Sequence, residues 1–455
     1  MSLSVIILAA GQGTRMRSAL PKVLHPLAGK PLLGHVLDTA EQLQAESICV
    51  VYGHGGEAVP ARFPERAVTW VLQAQQLGTG HAVAQAIDHV QDADTVLVLY
   101  GDVPLISAPT LQRLIAASGP HALGLLTVDM PDPTGYGRIV RDAAGRVVRI
   151  VEQKDASAEE RAITEVNTGM LAAPGVHLRR WLGALDNRNA QGEFYLTDVV
   201  ALAVQDGLAV QTVAPASSAE VQGVNTRAQL AELERLYQRA HADRLMAAGA
   251  TLLDPARLDV RGELTVGQDV VIDVNVVFEG QVRLGDRVRI GPNTVIRDST
   301  IADDVEILSH CLVEGAHIGA KTRIGPFARI RPETTLAAEV HVGNFVEIKK
   351  SDVGQGSKIN HLSYIGDTTI GRKVNIGAGT ITCNYDGANK HRTIIGDEAF
   401  IGSDTQLVAP VEVGAGATIG AGSTITRSAP PGELTLSRAA QTTVPGWKRP
   451  VKKQD

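Results

Sequence analysis

The chain has 455 residues, enough for at least two domains, and its 43 Lys and Arg against 49 Asp and Glu leave a net charge of only −6. That balance argues against a nucleic-acid or membrane-surface protein. The 3 cysteines, Cys49, Cys311 and Cys383, show no CxxC spacing and read as free thiols in a reducing compartment, each expected to be buried for packing.

Val5–Leu8 reads as a fully buried strand. The run Val5–Ala10 is too short for a signal peptide and lacks a basic leader. No span approaches the roughly 20 apolar residues of a membrane helix, so the expected location is the cytoplasm. Further apolar runs follow at Ile48–Tyr52, Val68–Leu72, Val96–Tyr100 and Leu123–Val128. Segments with helical spacing separate them: Leu32–Leu43, Gly80–Ile87 and Thr110–Ala117. This alternation predicts a mostly parallel sheet with helices on both faces. Ligands of such sheets sit at the carboxyl ends of the strands, which points to the loops after Leu8, Leu72 and Tyr100.

The first of these loops holds Gly11 and Gly13, with Met16 where a dinucleotide fingerprint would need its third glycine. Alone, G-x-G is only a tight turn. Arg15 and Lys22 beside it suit a triphosphate approached by backbone amides. The second landmark is Asp102, in Tyr100-Gly-Asp-Val-Pro104. A carboxylate there either caps a turn or, with phosphates and waters, holds Mg²⁺. The third is the polar loop Val71–Gly80, whose amides can read a base edge.

Arg227 to Gly249 carries apolar residues at helical spacing. A helix of that length spans about 30 Å and reads as an arm between domains, the alternative being a core helix of the first domain. From Val260 to Ile425 an aliphatic residue returns at nearly every sixth position, often followed by glycine, as at Gly267, Gly319 and Gly343. A period of six fits neither a helix nor an alternating strand. It fits a hexapeptide solenoid, in which each hexad gives a short strand and a turn. The small residue is expected to make room at the corner, where a β-carbon would clash. The register breaks between Thr382 and Ile395, so a polar loop, Cys383–Thr393, should leave the rod. Polar residues gather near it: Arg331, Glu347, Lys349, His361, Tyr364, Asn375, Asn384, Tyr385 and Lys390. Singly, each is accounted for as a solvated rim.

Leu8–Lys22, Gln73–Gly80, Tyr100–Pro104, Gly135–Arg138, Val151–Gln153, Asn167–Gly169 and Gly223–Asn225 resemble the motifs of the sugar-1-phosphate nucleotidyltransferases. The repeats resemble the hexapeptide acyltransferases. In this order, over nearly the whole chain, the two resemble the bifunctional bacterial uridylyltransferase/acetyltransferase family that makes UDP-N-acetylglucosamine, a precursor of peptidoglycan and lipopolysaccharide. The fold implied is α/β: a Rossmann-like nucleotidyltransferase domain over residues 1–226, a helical linker over 227–249, and a left-handed parallel β-helix over 250–455. The resemblance implies that Leu8, Ala9, Ala10, Gly11, Tyr100 and Gly101 contact nucleotide or sugar, with Arg15 and Lys22 on the phosphates. Gln73, Gly78 and Thr79 would hold uridine and sugar, Gly137, Glu152 and Asn167 the N-acetylglucosamine moiety, and Asp102 and Asn225 Mg²⁺. Gln12 and Gln75 stand where relatives can carry charge; little effect is expected.

For the repeats, the resemblance implies His361 as general base. Arg331 and Lys349 would bind the sugar phosphate, and Glu347, Tyr364, Asn375 and Lys390 the rest of the acetyltransferase substrate. Asn384 and Tyr385 would belong to both ligands, and Ala378, Ser403, Ala421 and Arg438 would line the acetyl-CoA groove. It further implies a homotrimer built through the β-helix, the substrates UTP, glucosamine-1-phosphate, N-acetylglucosamine-1-phosphate and acetyl-CoA, and no nucleic-acid or membrane partner. A nucleotidyltransferase whose β-helix serves only assembly is the rival reading. Zinc at His310, His317, His341 or His361 lacks ligand spacing. The basic tail Trp447–Asp455 is read as a partly mobile, solubilising end.

Overall fold

The computed structural model describes residues 2–53 and 55–452; the last three residues of the basic tail, Lys453 to Asp455, lie outside the described residues. The chain divides into two compact units, Met1–Tyr237 and Gln238–Asp455. The division falls inside the helix Arg227–Ala247, not at either of its ends. Leu233 on its first half is buried with Met16, Leu27, Leu32 and Val224 of the first unit. Ala242 and Leu245 on its last turns are buried in the core of the second.

The first unit is built on a sheet whose strands lie in the order 209–213, 122–129, 165–174, 95–100, 3–9, 47–52 and 69–72. Leu3–Ala9 pairs in parallel with the strands on both sides, 47–52 and 95–100. Because side chains alternate across a strand, Ile6 and Leu8 enter one core and Val5, Ile7 and Ala9 the other. Burial on both faces explains why this strand reads as an unbroken apolar run. Glu165–Pro174 is antiparallel to both its neighbours, and a short hairpin, Arg138–Arg141 with Val147–Val151, branches from it.

The second unit is a parallel β-solenoid. An eleven-stranded sheet supplies one strand per coil, from Thr251–Leu252 to Leu434–Thr435. Ten spacings of about 4.8 Å make that column about 48 Å long. The hexad positions, from Val260 through Ile290, Ile330, Ile365 and Ile401 to Ile425, fall in one buried cluster. Val266 is only half-buried. Thr382 takes the inward position beside the extra loop and is satisfied there, its Oγ1 accepting the Gly366 N–H at 2.7 Å.

The corner glycines leave no room for a β-carbon, as expected, but not because they turn the chain. The left-handed backbone falls two residues after them, on non-glycine residues such as Asp269, Lys321 and Phe345. What the glycine permits is close stacking of coils: a β-carbon on Gly343 would stand 1.9 Å from the carbonyl oxygen of Asn360. Among the described residues no helix is long and apolar enough to cross a membrane. Cys49 and Cys311 are buried as expected, whereas Cys383, opening the extra loop, is only half-buried; all three are free thiols.

Candidate active sites

In the first unit the loops after Ala9, Leu72 and Tyr100 border one cavity of about 540 Å³. Leu8, Ala9, Ala10, Gly11, Arg15, Lys22, Gln73, Gly78, Thr79, Tyr100, Asp102 and Asn225 all line it. The short turn Thr14–Met16 leaves the Arg15 side chain exposed. Gly13 has a φ of 62°, and a β-carbon there would stand 2.7 Å from Cβ of Lys22, so only glycine lets the loop pass that close. Lys22 Nζ donates to Asp102 and, at 3.2 Å, to Oδ1 of Asn225. A carboxylate, an amide oxygen and an ammonium thus meet in the cavity.

Gln73 is 2% exposed, and its Nε2 donates to the Gly78 carbonyl at 3.2 Å. Burial, reinforced by the charges of Glu152 and Asp102, pushes the Tyr100 phenol well above its ordinary range. Gly137, Glu152 and Asn167 do not border the cavity itself. They form a second group: Asn167 N–H donates to the Gly137 carbonyl at 2.8 Å, and a β-carbon on Gly137 would approach Oε1 of Glu152 to 3.3 Å. Burial holds the Glu152 carboxyl above the usual range, against a hydrogen bond from Thr197 at 3.2 Å. Gly101 stacks its backbone against Leu8, its N–H on the Leu8 carbonyl at 2.9 Å.

Five lining residues, Val23, Gln76, Ala82, Gly135 and Glu193, are not among the expected site residues. Gln76 sits inside the polar loop that was singled out, where Gln75 is exposed and does not border the cavity. Glu193 belongs to a segment without a motif, brought in because Phe194 pairs its backbone with Leu77 and Gly80 at 2.8 and 2.9 Å.

In the second unit, His361 ends one strand of the eleven-stranded sheet and Tyr364 begins a strand of the next, with Leu362 turning the corner at a φ of 47°. His361 is exposed, with Nδ1 2.9 Å from Oδ1 of Asn344, a neighbour the sequence did not flag. Around the corner Glu347 pairs with Tyr364, and Lys349 with Gly366. Arg331 and Glu347 form an ion pair of 2.8 Å. Lys349 lies 3.7 Å from Asp367, which also takes a hydrogen bond from the buried Asn384. The extra loop leaves where the register broke and returns on itself through a Tyr385–Lys390 bridge. Its Asp386 accepts the Asn389 and Ala388 N–H groups and pairs with His391 at 2.7 Å, which drives its carboxyl far below the usual range. The loop brings Lys390 beside Lys349, whose ammonium pushes Lys390 below the ordinary lysine range.

From His361 a backbone column climbs one coil at a time. The His361 carbonyl accepts Gly379 N–H at 3.3 Å, that of Ala378 accepts Asp404 at 2.7 Å, and that of Ser403 accepts Gly422 at 2.8 Å. Arg438 closes it, donating to the Ala421 carbonyl at 2.7 Å. Ala378, Ser403, Ala421 and Arg438 therefore share one edge. Asn375 stands apart: its strand lies beside that of His361 but pairs it with Lys358, at the other end, and among the described residues it makes no side-chain bond to the others. Among the described residues no group of three His, Cys, Asp or Glu is arranged to hold a metal, and this includes the solenoid histidines.

A MobA-like NTP transferase domain model matches residues 5–165, a GMPPB C-terminal domain model residues 260–353, and a bacterial transferase hexapeptide model of six repeats residues 392–427. The bifunctional protein GlmU of Aromatoleum aromaticum is 63% identical over 469 residues, covering 99% of each chain. That of Thiobacillus denitrificans is 65% identical over 467 residues, covering 99% of this chain and 98% of its own. That of Azotobacter vinelandii is 61% identical over 454 residues and the whole of both. At this identity and coverage, with both domain types present in order, the chain belongs to the bifunctional GlmU family of transferases.

Proposed function

We propose that the two units carry separate active sites acting in succession on one sugar. The solenoid site acetylates glucosamine-1-phosphate from acetyl-CoA. The cavity of the first unit joins the product, N-acetylglucosamine-1-phosphate, to UTP, giving UDP-N-acetylglucosamine and pyrophosphate. The observation that carries the second reaction is the meeting of Lys22, Asp102 and Asn225 in a cavity at the carboxyl ends of parallel strands.

Uridylyl transfer needs position and charge, with no protein nucleophile. A phosphate oxygen of the sugar attacks the α-phosphorus in line, and the bond to the bridging oxygen breaks as pyrophosphate leaves with the electron pair. Arg15 and Lys22 oppose the charge that grows on the phosphates. The amides after Leu8 cradle the nucleotide, Gln73, Gly78 and Thr79 hold uridine and sugar, and Gly137, Glu152 and Asn167 the acetamido sugar. The carboxylate of Asp102 and the amide oxygen of Asn225 suit Mg²⁺, a hard cation that takes one or two protein oxygens beside phosphates and waters. They already converge on a cation, the Lys22 ammonium. Bound there, Mg²⁺ would neutralise phosphate charge.

Acetyl transfer needs a base. The sugar amine, like an α-amino group of pKa about 8, is mostly protonated near neutrality. Only the neutral amine attacks the thioester carbonyl. An imidazole, with an ordinary pKa of about 6.5, takes the proton that the amine nitrogen sheds. As the C–S bond breaks, CoA leaves with the electron pair and receives that proton. Exposure of His361 supports this role. Lys349, Lys390 and Arg331 supply cations for the sugar phosphate, with Glu347, Tyr364, Asn375, Asn384 and Tyr385 around the sugar. The column Ala378–Ser403–Ala421, ending at Arg438, suits an extended acetyl-CoA arm.

A homotrimer built through the solenoid completes the reading. Its support is an apolar edge ending beside His361: Phe327, Phe345 and Leu362 are 46%, 55% and 63% exposed, and Phe327 stacks on both His310 and Phe345. Such an edge is costly in water and favours burial against other copies. A coupled assay with glucosamine-1-phosphate, acetyl-CoA and UTP tests the whole. Pyrophosphate should appear only with all three, and N-acetylglucosamine-1-phosphate should replace the first two. Pyrophosphate release from the unacetylated sugar at an equal rate would defeat the two-step order.

A further inference from the structure

The buried amide of Gln73 can present only one of its two ends to the cavity, and the neighbours decide which. Its Nε2 donates to the Gly78 carbonyl at 3.2 Å and lies 2.9 Å from Nδ1 of His81. A carbonyl only accepts, so the nitrogen end is fixed on that side. Among the described residues no donor reaches Oε1. The oxygen is therefore what Gln73 offers to the cavity it lines.

We propose that His81, behind the cavity wall, is a positioning residue that holds Gln73 with its oxygen outward and so selects a pyrimidine carrying a ring N–H, uracil rather than cytosine. The inference rests on reading this cavity as the UTP site. Uracil offers N3–H as a donor where cytosine has a lone pair, so the fixed oxygen attracts one ring and repels the other. With Nδ1 accepting from Gln73, the imidazole carries its proton on Nε2. That nitrogen lies 3.3 Å from the side-chain amide of Gln85, whose oxygen can accept it once the amide is turned. The ring also packs beside Phe194, with centroids 6.4 Å apart. The histidine thus has both nitrogens and a face engaged, and it sits one helical turn from Gly78, whose φ of 114° and 2.5 Å approach to the Phe194 carbonyl exclude any side chain.

The test measures kcat and KM for UTP and for CTP with N-acetylglucosamine-1-phosphate, in the full-length chain and in His81→Leu and His81→Gln. Leu leaves the Gly78 carbonyl as the amide's single acceptor and so weakens the hold on its nitrogen end; Gln restores a second acceptor. The expected result is a UTP/CTP preference that falls by about tenfold or more in His81→Leu, carried mainly by KM, and recovers in His81→Gln. Acetyl transfer by the same preparations, which His81 does not serve, reports intact folding. An unchanged UTP/CTP ratio in an active His81→Leu protein would overturn the inference while leaving the uridylyl reading standing. If the unaltered chain turned over neither nucleotide, the reading of the cavity itself would fail. If His81→Leu lost acetyl transfer too, Gln73→Leu decides: retention of the full preference there overturns the proposal.

Discussion

Oδ1 of Asn344 lies 2.9 Å from Nδ1 of His361, from the coil immediately before it. An amide oxygen accepts, so Nδ1 carries the hydrogen and Nε2 keeps the lone pair. His361→Ala removes that lone pair, the base of the proposed acetyl transfer. Acetyl transfer should fall by about 10²–10⁴, with uridylyl transfer to supplied N-acetylglucosamine-1-phosphate unchanged. Separate assays of one preparation check this. Parallel loss of both in a folded protein would argue against two independent sites.

Asp102→Ala should do the converse. It leaves the Lys22 ammonium without its carboxylate and takes one oxygen from the proposed Mg²⁺ site. Uridylyl transfer should drop on the order of 10²–10³, and the dependence on added Mg²⁺ should shift to higher concentrations, while acetyl transfer holds. An unaltered Mg²⁺ titration would remove Asp102 from the metal site.

Gly343→Ala tests coil stacking. Its β-carbon would meet the Asn360 carbonyl oxygen at 1.9 Å, and backbone cannot swing aside as a flexible side chain can. A loss of about 2–4 kcal/mol is expected, read as a lower Tm of the solenoid by circular dichroism. A wild-type Tm would mean that the coils slide past each other freely.

The Glu152 carboxyl is held above the usual range, first by burial. The folded chain then keeps a proton that the unfolded chain loses near pH 4.3, so its stability falls as pH rises through the unfolded and then the folded pKa. Glu152→Gln never ionises and escapes that loss. Its Tm relative to the unaltered chain should therefore climb as pH rises from about 4. Fluorescence of Trp70 and Trp181, both in the first unit, can follow it. A difference that shrinks with rising pH would contradict the burial.

These contrasts show where the sequence was readable. A six-residue period over some thirty positions leaves one way to stack, and the buried cluster follows it from Val260 to Ile425. Strand-end loops that meet at one sheet edge bring Gly11, Gln73 and Asp102 together without being neighbours in the chain. Glu193 and Asn344 carried no local signal, because their places depend on Phe194 pairing with a distant loop and on coil-to-coil register. The clash expected of a β-carbon at the corner glycines is present, but its partner is the backbone of the next coil, which leaves no trace in a single hexad.

The helix Arg227–Ala247 supports a last prediction, on where the chain can be cut. A cut after Thr226 matches the motif boundary but removes Leu233, which is 1% exposed and packs with Met16, Leu27, Leu32 and Val224. It also removes Glu234, which accepts the Ala28 N–H at 2.7 Å, and Arg227, which donates to the Met16 carbonyl at 3.2 Å. Met16 follows Arg15, so the glycine loop would lose its backing. A chain ending near Ala240 should keep uridylyl transfer and sediment as a monomer. One ending at Thr226 should melt lower by about 2–5 kcal/mol of lost burial, with KM for UTP raised before kcat falls. Equal Tm and kinetics for the two lengths would make the first half of the helix a mere spacer, and a trimer from either would remove the solenoid as the element of assembly.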